Sequence, residues 1–452
     1  MSVSLAKRLR SVVGSEHVST DAAVLAARSV DYTGRYRGRA CALVRPGSAA
    51  EVAAVLQVCL QAGAHVTVQG GRTSLVAGTV PRHDDVLLAT DRLTGIGAVD
   101  PTERRVSVGA GVPLAVLQQS AAAAGLLFGV DLAARDTATV GGMAATNAGG
   151  LHTIRYGTMG EQVLGLQVAL PDATLLRRHS RVRRDNTGYD LPALFVGAEG
   201  TLGVITDLEV RLHRPARHRV TAVCGFTELA ALVDAGRIFA DLDGVAALEV
   251  IDGAALVLTD EYQGVPAPVE GTWLLLVEVA ADHDPTAALG EALAAVRPCA
   301  EPAVAVDAAA RHRLWRTREA ITDILGVFGP PLKFDVSLPL EEIAGFTSRA
   351  AAVIAEHAPA AIPVLFGHLG EGNLHLNVLR CELTEDREHR LDAAMMELIT
   401  GCGGNVSSEH GVGVRKREFL PMSRGPADIA AMRTLKAAFD PTGYLNSAVL
   451  FG

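Results

Sequence analysis

The sequence predicts an α+β protein of two or three domains, and three observations carry that expectation. Its 452 residues exceed what a single hydrophobic core organises. Hydrophobic residues make up 49% and charged residues only 20%, so material for more than one core is at hand. From about Val220 onward, glycine-rich loops give way to alternating strands and alanine-rich helices, which marks a second domain, with His213-Arg214-Pro215 as its expected start.

Taken in order, residues 2–33 read as a short helical lead-in. Val44 to Ala62 reads as strand, Pro46-Gly47 turn and helix, with Ser48 as N-cap and Glu51 at the capping-box spacing. A short strand over Ala64–Val68 runs into QGGRTSLVAG, Gln69 to Gly78. A glycine pair followed by Thr73 and Ser74 lets bare amides and hydroxyls face an anion, although the same pattern also makes an ordinary turn. It lacks the Walker lysine, and the chain holds no G-x-G-x-x-G fingerprint, which disfavours a nicotinamide cofactor on a Rossmann fold. Strands over Val86–Ala89 and Arg105–Val108 and a helix over Pro113–Ala124 follow.

The longest small-residue stretch is Val130 to Met159, VDLAARDTATVGGMAATNAGGLHTIRYGTM. Between Thr137 and Gly150 it has four glycines, three threonines and Asn147, with almost no large side chain. Glycine and alanine bury little apolar area, so the segment makes sense against a large flat ligand that the backbone approaches closely. A tight helix–helix contact would explain the alanines but not Thr-Asn-Ala-Gly-Gly. Arg184 to Tyr189 reads as a turn before a helix, and Phe195 to Leu212 sets Glu199 and Thr201 among glycines before a strand.

Bulk properties exclude several classes. A net charge of −9 and a pI near 5.9 argue against nucleic acid, which needs a concentrated basic surface. The six cysteines are scattered with no C-x-x-C pair, as expected for reduced thiols. Charge interrupts the N-terminal residues before any apolar run develops, and no run of eighteen apolar residues exists. A soluble, cytoplasmic protein without a membrane span is the expectation.

In the second half, Arg311–Leu325 (RHRLWRTREAITDIL) has helical character, with Arg318 and Thr322 on one face. Trp315 there argues against a purely solvated helix. LKFDVSLPL then alternates Lys333, Asp335 and Ser337 on one face of a strand closed by Pro339. GHLGEGNLHLN, Gly367 to Asn377, reads as strand, sharp turn, strand, with His375 and Asn377 on one face and His368 beside them. Downstream stands Ser407-Ser408-Glu409-His410-Gly411. Two histidines and a glutamate are a recurring shell for a divalent metal. These residues alone leave the metal and a set of turn-serving polar groups equally open. The last segment is a helix stopped by Asp440-Pro441.

QGGRTSLVAG, DTATVGGMAATNAGG with RYGTM, DNTGYDL and GAEGTLGVIT resemble, in order, the FAD-binding domain of the vanillyl-alcohol-oxidase (PCMH) type. More narrowly, the chain from about Gly38 onward resembles the FAD-linked D-lactate, D-2-hydroxyglutarate and glycolate dehydrogenases. The resemblance implies a two-subdomain FAD-binding domain over 38–215 and an α+β substrate, or cap, domain with an antiparallel sheet over 216–425. A C-terminal segment over 426–452 would return to the FAD domain. It implies FAD contacts from Gly70, Gly71, Arg72, Thr73 and Ser74 at the pyrophosphate. Asp131, Thr137, Thr139, Gly141, Gly142, Asn147 and Gly149 would line the flavin and ribityl chain. Glu199, Gly203 and Ile205 would stand on the adenine side, and Asn446 near the flavin. Ala133-Ala134 stands where relatives have Gly-Ser, so a serine hydroxyl to phosphate is lost. Arg72 stands where some distant relatives carry a flavin-bonding histidine, so FAD is expected to be non-covalent.

The W-x-x-R-E and K-x-D-V-S-x-P segments likewise imply that Arg318, Thr322 and Lys333 bind the substrate carboxylate, a role suited to the planar fork of arginine. H-x-G-x-G-N-x-H-x-N and S-x-E-H-G imply that His368, His375 and Glu409 hold a divalent metal, with zinc expected. Asn377 would then bind substrate, and His410 would be the general base. A 2-hydroxy acid would chelate the metal, lose its hydroxyl proton to His410, and pass its C2 hydrogen to the flavin.

Three rivals stand beside this reading: a flavin-free metal hydrolase, a flavin subunit of a multi-subunit glycolate oxidase, and a catalytically silent FAD-binding module. The electron acceptor (oxygen, quinone, cytochrome or electron-transfer flavoprotein) and the choice among lactate, 2-hydroxyglutarate and glycolate stay open, and a homodimer is neither required nor excluded.

Overall fold

The computed structural model describes residues 3–179, 182 and 185–451, so Arg184 of the expected 184–189 turn lies outside the described residues. The chain divides into two compact units. The first comprises Met1–Gly149, Gly157–Pro215 and Glu409–Gly452, and the second Gly150–Tyr156 and Ala216–Ser408.

In the first unit the lead-in is two helices, Val3–Val13 and Ala22–Arg28. Asp21 starts the second by accepting from the amides of Ala23 and Val24. Strands β1 (Val18–Ser19), β2 (Ala40–Val44), β3 (Val66–Gln69) and β4 (Asp85–Ala89) form a sheet in the order β1-β2-β4-β3. Both β2 and β3 run parallel to β4, whose Val86, Leu87 and Leu88 are fully buried, as central parallel strands require. The helix Ala49–Ala62 crosses between β2 and β3. Ser48 Oγ accepts from Glu51 N at 3.2 Å, while the Glu51 carboxylate bonds Gly47 N at 2.7 Å, one residue before the cap. A second sheet, β5 (Arg105–Gly109), β6 (Val163–Ala169), β7 (Leu175–Arg178) and β8 (Val204–Arg211), is antiparallel in the order β5-β8-β6-β7. One apolar cluster, with Leu56, Phe128, Val140, Phe195 and Leu208, holds this unit together.

The C-terminal helix Pro426–Phe439 ends at Asp440, whose carboxylate accepts from Lys436 Nζ and the amides of Tyr444 and Leu445. This fold-back lets Leu445 pair with Val66 of β3.

The second unit is an antiparallel sheet of β9 (His218–Phe226), β10 (Val245–Asp252), β11 (Trp273–Ala281), β12 (Ala303–Ala305), β13 (Leu332–Ser337), β14 (Ile362–His368) and β15 (Asn373–Leu379). Its seven strands run in the order β12-β9-β11-β10-β14-β15-β13. The helix Ala308–Ile324 sets Leu314 and Ile321 against Ile251, Leu274, Leu276 and Phe366. Gly150–Tyr156 belongs here because its short helix packs on β10, with Arg155 donating to the carbonyls of Gly244 and Ala280.

The same long helix is fastened by a buried carboxylate. Glu278 on β11 is 2% exposed and accepts from Trp315 Nε1 at 2.8 Å and Thr221 Oγ1 at 3.1 Å. Arg219 lies 3.2 Å and His152 3.7 Å away. Burial alone would raise the Glu278 pKa, but these partners outweigh it and bring it from 4.5 to about 2. A depressed carboxylate pKa stabilises the fold above its unfolded value, and that contribution is lost as pH falls from about 4.5 toward 2. The full effect is on the order of 3 kcal/mol. Both tryptophans, Trp273 and Trp315, lie in this unit, so their fluorescence reports its unfolding. The melting midpoint should fall between pH 5 and pH 3, and Glu278→Gln should flatten that fall. An unchanged slope in the variant would refute the assignment.

Candidate functional site

The first unit encloses a cavity whose walls come from the motifs singled out in the sequence. Gly70, Gly71, Arg72, Thr73 and Ser74 follow β3 along one wall. Thr139, Gly141, Gly142 and Gly149 form another, where Thr139 caps the helix Val140–Thr146 by accepting from Gly142 N. Glu199, Gly203 and Ile205 supply the approach to β8, and Asn446, Glu409 and His410 complete the lining. Glycine, alanine and threonine dominate it, including Ala133 and Ala134, so backbone is exposed to whatever lies inside. Thr90 and Ala110 also line the cavity, and no pattern in their own segments marks them.

Left-handed backbone clusters around this cavity at Arg72 (φ 58°), Glu199 (φ 50°) and Asn446 (φ 43°). Their side chains show what holds them. Asn446 accepts from Val68 N and donates to the Glu199 carbonyl, both at 2.8 Å. The Glu199 carboxylate accepts from Val412 N and Gly413 N, each at 2.8 Å. Desolvation raises the Glu199 pKa, and these amides oppose the rise. Both its oxygens are thus occupied, which fits a site for a phosphate-bearing ligand better than a free carboxylate would. Arg72 reaches the Ala27 carbonyl at 3.1 Å, and desolvation lowers its pKa.

Three residues expected at the cofactor, Asp131, Thr137 and Asn147, are not among those lining the cavity. Asp131 accepts from Gln118 at 3.0 Å and pairs with Arg135 at 3.0 Å. Thr137 bonds the Ala134 carbonyl, and its own carbonyl backs onto Gly71. Asn147, at φ 51°, ends the helix and accepts from Thr158 and Gly160.

The second unit gathers the other predicted residues on one face of its sheet. Lys333 lies opposite Asn377, Asp335 opposite His375, and Phe366 on the far side of His375. The His368 and His375 rings are perpendicular with centroids 5.3 Å apart. Gly372 (φ 65°) makes the turn between their strands, where a Cβ would come 2.1 Å from the Leu338 carbonyl oxygen. Burial lowers the Lys333 pKa. Thr322 is half-buried one turn beyond Arg318 on the long helix. Asp335 also accepts from Ser408 N at 3.0 Å, which anchors the residue preceding Glu409 in the chain.

Arg318 differs from the expectation of an arginine devoted to substrate. It is 5% exposed, its Nε donates to Glu249 at 2.6 Å, and its guanidinium lies 4.3 Å from the Phe366 ring centroid. Glu249 Oε1 stands 2.5 Å from His368 Nδ1. Sequence reasoning missed Glu249; its one signal was a carboxylate inside the apolar run VAALEVID. Of the other arginines on this helix, Arg311 is bonded to the carbonyls of Arg219 and Val306, and Arg313 and Arg316 are exposed. No helix among the described residues is long and apolar enough to cross a membrane.

The first unit thus holds a cavity lined largely by backbone and small side chains, suited to a phosphate-bearing ligand, and the second unit holds a sheet that carries imidazoles and cations on one face. Residues 40–178 match the family model of an FAD binding domain, and residues 215–450 match that of FAD linked oxidases, C-terminal domain. The chain belongs to the FAD-linked oxidase family, and is an FAD-dependent oxidoreductase. It is 32% identical over 460 residues to a D-2-hydroxyglutarate dehydrogenase of Stutzerimonas stutzeri, covering 99% of this chain and 98% of that one. It is 34% identical to the mitochondrial D-2-hydroxyglutarate dehydrogenase of Bos taurus, covering 95% of this chain and 80% of the other. A mitochondrial Schizosaccharomyces pombe protein provisionally called a D-lactate dehydrogenase is also 34% identical, with 94% and 85% covered. The fold matches that of p-cresol methylhydroxylase with a TM-score of 0.79 at 14% identity, over 99% of this chain and 96% of that one. The α+β, PCMH-type expectation therefore holds.

Proposed function

We propose that this enzyme oxidises a D-2-hydroxy acid, D-2-hydroxyglutarate or D-lactate, to the 2-oxo acid. The observation that carries the reading is His410 in the lining of the same cavity as the glycine pairs, which supports an imidazole within reach of the flavin. The names of the relatives support the substrate class. Held non-covalently, FAD supplies the acceptor for the hydrogen leaving C2. His368, His375 and Glu409 would hold a divalent ion, with zinc expected, which would supply a Lewis acid. Two imidazoles and a carboxylate suit that ion, and both histidines have a carboxylate toward Nδ1, at 2.5 Å from Glu249 and 4.0 Å from Asp335.

The chain's own residues do the rest. Arg318, Thr322, Lys333 and Asn377 hold the substrate carboxylate, and His410 takes the hydroxyl proton on its ring nitrogen. Gly70 to Ser74, Thr139, Gly141, Gly142, Gly149, Glu199, Gly203, Ile205 and Asn446 seat the cofactor. Electrons then pass to an electron-transfer flavoprotein, a quinone or a cytochrome. Six free cysteines suit a reducing compartment such as the cytoplasm.

An anaerobic visible spectrum taken before and after a panel of D- and L-2-hydroxy acids tests the proposal. A flavin band bleached by a D-acid and not by its L-isomer is the expected result. A flavin band that no acid bleaches would defeat it, and so would protein that takes up no FAD.

A further inference from the structure

Two predicted functions, holding the substrate carboxylate and holding the metal, meet at one carboxylate that neither role requires. Glu249 is fully buried on β10, where strand register sets it opposite His368 of β14. Oε2 accepts from Arg318 Nε at 2.6 Å, and Oε1 lies 2.5 Å from His368 Nδ1. Each oxygen thus serves a different functional side chain, reached from a different element.

We propose that Glu249 is a positioning residue that couples the two sites. It fixes His368 through Nδ1, so that Nε2 is the nitrogen turned to the metal, and grips Arg318 through Nε, so that the outer edge of the guanidinium meets the substrate carboxylate. The inference deepens the proposed function and rests on it. Its physical basis is that no substitute keeps both bonds at once. Glutamine offers one acceptor oxygen, and its amide would set a donor against either Nε–H or Nδ1–H. Aspartate is one methylene shorter and spans to one partner only.

A bland alternative is that Glu249 merely fastens the helix Ala308–Ile324 to the sheet. The fold contains its own control, because Glu278 fastens the same helix through Trp315, one turn before Arg318, without touching any predicted site residue. Glu249→Gln and Glu278→Gln should therefore both melt lower, and only the first should alter the sites.

Zinc affinity is measured by competition with a chelating dye on FAD-loaded protein, alongside KM for the acid that bleaches the wild type. Glu249→Gln should bind zinc ~10–100-fold more weakly and show a raised KM with its flavin band intact, while Glu278→Gln matches the wild type in both. If Glu249→Gln does not load FAD, Glu249→Asp is read the same way. Wild-type zinc affinity and KM in Glu249→Gln overturn the coupling, as does an equal loss in Glu278→Gln. Wild-type protein that binds no zinc overturns the metal assignment itself, a separate result because it needs no variant.

Discussion

His410→Ala should lower turnover by ~10²–10⁴-fold, the span that removal of a general base produces, while FAD content and KM change little. Abstraction of a hydroxyl proton needs a group whose charge changes near neutral pH, and imidazole is the ordinary one. In the cavity lining only two titratable side chains, Glu409 and His410, come from the Ser-Ser-Glu-His-Gly turn, and Glu409 is reserved for the metal in the proposed scheme. Truncating His410 is also mild for the fold. The loop after it is held by backbone, through Val412 N and Gly413 N on the Glu199 carboxylate. The turn needs Gly411 at φ 83°, where a Cβ would crowd the Glu199 carboxylate at 3.0 Å. Steady-state kinetics on protein matched for flavin absorbance is the measurement. Turnover within a few-fold of the wild type would remove His410 from the chemistry, whereas loss of flavin along with rate would make it a structural residue.

The parts of this site that were legible in the sequence are those governed by local rules. Lys333, Asp335 and Ser337 share a face because strand side chains alternate, and the register with Asn377, His375 and Asn373 repeats that face on the neighbouring strand. The turn of GHLGEGNLHLN follows from glycines at positions where a Cβ has no room: Gly367 would put one 2.2 Å from the Asn373 carbonyl oxygen. The illegible parts depend on which strand lies beside which. Glu249 meets partners 69 and 119 residues away, and only the strand order β11-β10-β14 makes that pairing visible. Asn147 is a third kind of case. Its place in a small-residue stretch pointed to the ligand, and the structure adds a local demand the sequence did not show, a left-handed helix end that needs a residue tolerating positive φ.

Gly71→Ala should yield protein that folds poorly or is purified without FAD, and Gly142→Ala should not. The two glycines look alike in sequence, each in a glycine pair of a cofactor motif, and both line the cavity. Their surroundings differ. A Cβ on Gly71 would stand 2.0 Å from the Thr137 carbonyl oxygen and 2.9 Å from Ala138 Cα, both backbone. One of the two cavity walls would have to move, at about 1–3 kcal/mol or more for overpacking, and the displaced segments are those expected to carry the pyrophosphate and the flavin. A Cβ on Gly142 would meet only Thr139 Oγ1, at 3.1 Å, a side-chain contact that a small rotation relieves. Alanine there narrows the cavity without moving its walls, so weakened FAD affinity with an unchanged apo melting point is the expected pattern. The ratio of flavin to protein absorbance and the melting midpoints with and without added FAD separate these outcomes. Gly71→Ala with a full flavin band would mean that the first glycine pair does not set the wall against which the cofactor lies.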